Sequence, residues 1–318
     1  MSEGYRHPEA LASTAWLAER LGDPTVRIVD LRYGVRAGAD GTFHGASGHD
    51  AYSQGHIPGA LFVDFVADLA DPDDPIPMNI LSPLRFAALM GRLGVGDDTN
   101  LVVYDDAGGT WAARLWWAVR YYGHDAVMLL DGGLTKWLAE GRGIQTTTPV
   151  IEPARFHPRP KKELRATCEQ VQSAIGRAEA RIVDALPAQF YAGDACLFAT
   201  HRAGHIPTAV NVPAPANVDP RSQTLLPADA LEHLWRDAGV SQHQQVITYC
   251  GSGAYGAFDL FVLHLLGYEN VSLYDGSWQE WGANPALPVE TGSTSPADAA
   301  SGPRTGPPHK RLQHGFPH

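Results

Sequence analysis

Cys250 stands directly after the β-rich run Gln245-Val-Ile-Thr-Tyr249 and directly before Gly251-Ser-Gly-Ala-Tyr-Gly256, which leads into the apolar helical stretch AFDLFVLHLLG. A thiol at a strand-to-helix turn meets backbone N–H groups that lack intrahelical partners. Those donors and the helix dipole favour thiolate over thiol. Glycines at 251, 253 and 256 let the chain curl so that its N–H groups converge as an anion nest. The expectation is a nucleophile whose pKa is lowered by the loop and not by a cation, because no cation is adjacent in sequence. A cysteine after a strand is otherwise a buried structural thiol. The Gly-rich continuation weighs against that reading. Cys168 opens a helix and Cys196 lies in a loop segment, and neither has a comparable surround.

The chain presents this context twice. The first half reads Arg27-Ile-Val-Asp30, GHIPGA from Gly55, LVVYDD from Leu101 and DGGLTKW from Asp131. The second reads Arg181-Ile-Val-Asp184, GHIPTA from Gly204, QVITYC from Gln245 and DGSWQEW from Asp275. One unit has been duplicated with small insertions and deletions. After the shared strand and its tyrosine the first copy has Asp105-Asp106, where the second has Cys250. One active half and one supporting half are expected.

The elements that must position the thiol alternate between strand and helix. In the first half a helical stretch, LASTAWLAERLG, precedes a strand at Arg27–Leu31. A long Gly-rich loop, GVRAGADGTFHGASGHD, precedes the GHIPGA turn. A helix capped by Ser82 with Pro83 in its first turn, a strand at Leu101–Tyr104, a helix at Ala112–Tyr122 and a strand at Val127–Leu130 follow. The second half repeats this order. The pattern predicts an α/β fold of two tandem domains, each a mostly parallel sheet flanked by helices. The expected division is a first domain at 8–143, an extended Pro- and Thr-rich linker at 144–160, a second domain at 161–290, and a low-complexity, disordered tail at 291–318.

Composition bounds the function. A length of 318 residues fits two domains, and 44% hydrophobic residues is ordinary for globular proteins. A net charge of −11 argues against a general nucleic-acid binder. The sequence has no apolar run long enough to span a membrane and no signal-peptide pattern. Three cysteines without CxxC spacing argue against a disulfide framework or a zinc site. They fit a reducing, cytoplasmic setting.

With GHIPGA and GHIPTA, YDD against YCGSG, RLWWAVRYYGHDAVMLLDGGLTKW and LYDGSWQEW in order, the chain resembles the tandem rhodanese-domain sulfurtransferases, which act on thiosulfate or 3-mercaptopyruvate. The resemblance covers about Thr25 to Glu290. It implies an inactive first domain, with Asp105 or Asp106 in the cysteine's place, and a second domain in which Cys250 forms a persulfide. It also implies a small sulfur donor, a thiol, thioredoxin-like or cyanide acceptor, and no cofactor. The sequence CGSG without Lys or Arg from 251 to 258 is similar to the mercaptopyruvate-preferring branch, so that donor is expected to be the better one. In that branch the serine, here Ser252, is linked to the histidine of the first HIPGA motif, here His56. Substrate contacts are expected from Gly251, Gly253, Ala254 and Tyr255.

Two departures bear on the donor. Ala254-Tyr255 replaces the expected Val-Thr. Leu186 and Gln189 stand where the family commonly has pocket arginines, leaving Arg202 as the expected anion contact. A rhodanese-fold phosphatase would need CxxxxxR, and position 256 is glycine with no arginine before the helix. The remaining alternative is a non-catalytic or relay module that carries persulfide sulfur for a partner protein.

Overall fold

The computed structural model describes residues 4–37 and 43–292. The expected tail beyond residue 292 therefore lies outside the described residues. In the first domain the strands are β1 (Leu11–Ala12), β2 (Val26–Asp30), β3 (Tyr33–Ala37), β4 (Phe43–Ser47), β5 (Ala60–Phe62), β6 (Asn100–Tyr104) and β7 (Val127–Leu130). Its helices are α1 (Thr14–Ala18), α2 (His49–Gln54), α3 (Pro83–Arg92), α4 (Ala112–Tyr121) and α5 (Gly133–Ala139). The second domain has β8 (Arg165–Ala166), β9 (Ala180–Asp184), β10 (Val210–Asn211), β11 (Gln245–Tyr249) and β12 (Val271–Tyr274). Its helices are α6 (Cys168–Ala174), α7 (Ala188–Ala192), α8 (Ala228–Asp237), α9 (Ala254–Leu265) and α10 (Ser277–Trp281).

Each domain holds a five-stranded parallel sheet, in the orders β1-β7-β6-β2-β5 and β10-β9-β11-β12-β8. The middle strands are β6 and β11, whose near-continuous apolar runs suit strands covered by helices on both faces. The duplication is thus literal in three dimensions, and Asp105 and Cys250 follow the C-terminal ends of the two central strands.

Three local expectations change. Leu11–Ala12 is not helix but an edge strand beside β7, and Ser13 then caps a shorter helix by accepting the Trp16 N–H. The stretch read as a Gly-rich loop contains the antiparallel pair β3–β4. Gly45 is needed there because the Tyr33 hydroxyl occupies the space a Cβ would fill. Ser82 sits at the N-cap of α3 without capping it.

The two domains share one hydrophobic core, in which α4 packs on α9 and Trp116 meets Phe261 edge-on at 4.8 Å. Two equivalent aspartates tie the domains reciprocally. Asp131 accepts the Leu225 N–H at 3.0 Å, and Asp275 accepts the Ile80 N–H at 3.1 Å. The segment between the domains runs without helix or strand from 150 to 161 but is pinned to the first domain. Arg159 and Lys161 donate N–H bonds to Tyr122 and Tyr121. No helix among the described residues is long and apolar enough to cross a membrane.

Candidate active site

Cys250 lies at the junction of β11 and α9, and its residue is 3% exposed. Its Sγ accepts the Gly253 N–H at 3.1 Å, with the Ser252 and Gly256 N–H groups also favouring the thiolate. Gly253 adopts φ +83, which is easy only for glycine, and a Cβ there would strike the Arg114 guanidinium. The loop is held from below by α10. Ser277, itself at φ +50, accepts the Cys250 N–H through its hydroxyl and donates to Tyr274. Trp278 and Gln279 donate to the carbonyls of Cys250 and Gly251.

The first copy shows what such a loop does with an anion. Asp105, fully buried, accepts four backbone N–H bonds of 2.7–2.9 Å, from Ala107, Gly109, Trp111 and Ala112. Of the two candidates for the cysteine's counterpart, Asp105 therefore fills the nest. Asp106 is exposed. A nest that satisfies a carboxylate in one copy surrounds a sulfur in the other.

The expected depression of the thiol pKa is corrected by the structure. Burial pushes the Cys250 thiol up, and the loop N–H groups, although present, offset only part of that cost. Asp184 beneath the loop adds a small push in the same direction.

Above Cys250 lies a cavity of about 410 Å³ between the domains. Gly251, Ser252, Ala254 and Tyr255 line it, while Gly253 contributes its N–H behind the sulfur. The first domain supplies Tyr33, Phe65, Met78 and Trp111. Leu186 and Gln189, the positions without arginine, line it as well. The hydroxyl of Ser252 makes no hydrogen bond among the described residues.

Two expected site residues are not brought here. His56 is fully buried in the first domain, where Nδ1 bonds the Tyr52 carbonyl at 2.8 Å and the ring stacks on Tyr52 at 3.8 Å. His205 repeats this with Tyr191, at 2.7 and 3.8 Å. Both HIP histidines thus brace their own turn, and His56 does not reach Ser252. Arg202 is also consumed locally. Its guanidinium donates to the carbonyls of Gly282, Leu287, Trp281 and Asn284, stapling the C-terminal segment of the domain. Neither lines the cleft.

Sequence reasoning missed three supports. Arg114 on α4 is almost fully buried and lies 2.5 Å from Asp275, which Arg165 also approaches at 2.9 Å. The signal was a charge in the first turn of a helix whose residues are otherwise apolar up to Arg120. Ser277 was visible as the serine of DGS against the glycine of DGG. Asp184 is the third. In the first copy Asp30 receives Arg32 at 3.0 and 3.1 Å and the Tyr104 hydroxyl at 2.7 Å. With Leu186 in the arginine's place, Asp184 keeps one bond from the Leu186 N–H. Its other oxygen has no hydrogen-bond partner among the described residues, although the Tyr249 hydroxyl lies beside it.

Burial accordingly pushes the Asp184 carboxyl up to about 7. An unfolded aspartate titrates near ~3.9. The native state therefore retains a proton that the unfolded state loses, and the contribution to stability is lost as pH rises through that window. Relative to Asp184→Asn, the parent protein should lose stability from about pH 4 to about pH 7, by roughly 1.4 kcal/mol per pH unit, with a flat difference outside it. Denaturant midpoints of both proteins across pH check this. A pH-independent difference would show that Asp184 titrates normally.

The rhodanese-like domain family matches residues 13–140 and 167–284. The chain belongs to the rhodanese family. Among its rhodanese relatives is the sulfur carrier protein TtuD of Thermus thermophilus, 35% identical over 300 residues, covering 91% of this chain and 99% of the relative. A thiosulfate sulfurtransferase of Pseudomonas aeruginosa is 36% identical over 279 residues, covering 86% and 94%. Among solved structures, SseA, a 3-mercaptopyruvate sulfotransferase of Escherichia coli, superposes with a TM-score of 0.75 at 33% identity, covering 85% of this chain and 98% of that one. The two-domain rhodanese fold extends over both copies of the duplication.

Proposed function

We propose that this rhodanese-family sulfurtransferase moves a sulfane sulfur through a persulfide on Cys250. The observation that carries the reading is the pair of loops. The Asp105 loop is a satisfied anion nest, and the Cys250 loop offers converging N–H groups to a sulfur that opens onto a cleft. In the first step the Cys250 sulfur attacks the outer sulfur of the donor, and the donor leaves as sulfite or pyruvate. The anionic terminal sulfur then takes the place that the Asp105 carboxylate holds in the first copy, stabilised by N–H groups as an oxyanion would be. In the second step a thiol, a thioredoxin-like protein or cyanide removes the sulfur.

Of the two small donors, 3-mercaptopyruvate is favoured. No charged side chain stands among the described cleft-lining residues, and a dianion such as thiosulfate loses more than a monoanion when no cation receives it. With Arg202 withdrawn from the cleft, both activities are expected to be modest. The full-length similarity to a sulfur carrier favours a second reading, in which Cys250 hands sulfur to a partner protein. Treatment with each donor followed by intact-protein and peptide mass analysis tests the persulfide directly. Gain of one sulfur, about 32 Da, confined to the Cys250 peptide is expected. Absence of that adduct with every sulfane donor would refute the reading.

A further inference from the structure

We propose that the cleft selects an organic thiol with an aromatic or branched apolar body as the sulfur acceptor, in preference to a small anionic one. This rests on the persulfide reading of Cys250.

The argument starts from what a rhodanese cleft must hold besides the sulfur. At about 410 Å³ it falls within the range, roughly 300–1,000 Å³, that encloses a whole organic ligand. Its walls are rings and branched chains from both domains. Trp111 is the hub, with Tyr33 at 5.0 Å, Phe65 at 5.3 Å and Tyr255 at 5.8 Å between ring centroids. Phe190 and Phe198 face these from the second domain. The polar groups that line it include the Ser252 hydroxyl and the Gln189 amide, both uncharged.

Among the described residues, the ionisable groups nearby offer an anion no free cation. Asp184 sits beneath Cys250, and Leu186 puts a branched hydrocarbon where the first copy has the arginine that neutralises Asp30. Arg114 is close behind Gly253, but it is spent on Asp275 and the Met78 carbonyl. A sulfonate or carboxylate entering the cleft would shed water without gaining a charged partner there. An aromatic ring would shed water favourably and could pack edge-on against its own kind.

The transfer balances without any further reactant. The acceptor sulfur attacks the terminal sulfur of the Cys250 persulfide and forms the new S–S bond. The bond from that sulfur to Cys250 Sγ breaks, its electron pair stays on Sγ, and the acceptor's thiol proton is returned there. The products are an organic persulfide and the Cys250 thiol, with no net oxidation or reduction.

The test uses the full chain loaded with persulfide and two alkyl thiols of similar acidity, phenylmethanethiol and 2-mercaptoethanesulfonate. Matching acidity removes intrinsic nucleophilicity as a variable. Loss of the Cys250 sulfur adduct, followed by mass, should be at least tenfold faster per unit concentration with phenylmethanethiol. Leu186→Arg should shrink that ratio at least about fivefold by raising the sulfonate arm. Equal rates in the parent protein, or a ratio untouched by Leu186→Arg, would overturn the proposal. A binding measurement keeps it testable if no persulfide forms, an outcome that would refute the persulfide reading alone. Benzyl alcohol should shield Cys250 from iodoacetamide at concentrations where ethanesulfonate does not, and equal or absent shielding would overturn the apolar assignment.

Discussion

Cys250→Ser is expected to abolish sulfur transfer, by at least about a thousandfold in kcat/KM, while the fold and the melting temperature stay close to those of the parent. The serine hydroxyl fits the space of the thiol and can accept the same Gly253 N–H, so the loop has no reason to rearrange. What is lost is the chemistry, because the hydroxyl oxygen cannot take up and release a sulfane sulfur. Cys168 is half-buried and Cys196 is exposed, and neither is among the residues lining the cleft. Replacing both by Ser should therefore leave transfer intact. Steady-state transfer from each donor to cyanide measures this, with a thermal melt as the control for folding. Because burial pushes the Cys250 thiol up, loading of the parent protein should rise with pH and reach half its maximum above the midpoint of an ordinary cysteine. More than a few per cent of activity remaining in Cys250→Ser would move the nucleophile elsewhere.

The largest loss of stability is expected from Arg114→Met. This guanidinium belongs to the first domain, yet it neutralises Asp275 of the second, packs over Trp117 and backs the Gly253 turn. Removing one partner of a buried pair leaves a charge out of water, at a cost of about 3–5 kcal/mol. Arg165 remains beside Asp275, so the lower end is expected. That should lower the melting temperature by roughly 6–12 °C in a protein of this size. If the cost arises from the stranded carboxylate, Arg114→Met with Asp275→Asn should recover at least half of the loss. Asn can still accept the Ile80 N–H through its amide oxygen. Thermal melts of the single and double variants decide the matter. A single variant within about 2 °C of the parent would remove the interdomain pair as a source of stability.

Periodicity and repetition carried the architecture. The runs at Leu101–Tyr104 and Val127–Leu130 could be read as buried parallel strands because a strand covered on both faces has no polar positions to preserve. The repeated GHIP turns and DG pairs marked the two copies. The antiparallel pair β3–β4 escaped notice because the alternation of Tyr33, Val35 and Ala37 spans only five residues beside a Gly-rich stretch, and the pair is held by its cross-strand register and by the Tyr33 ring lying over Gly45.

By itself the sequence determined the tandem α/β units, the single thiol in a Gly-rich turn and the missing arginines at Leu186 and Gln189. These are local facts, written in residue type and spacing. Only the tertiary structure decided where long side chains spend their hydrogen bonds. Arg202, close to the second HIP turn in sequence, is bound up by four carbonyls from the end of the domain. Arg114, 136 residues before Cys250, backs its loop. The balance at the thiol was likewise undecided until packing was known. N–H donors can be counted from a turn motif, but the burial that opposes them depends on how both domains close over the same sulfur.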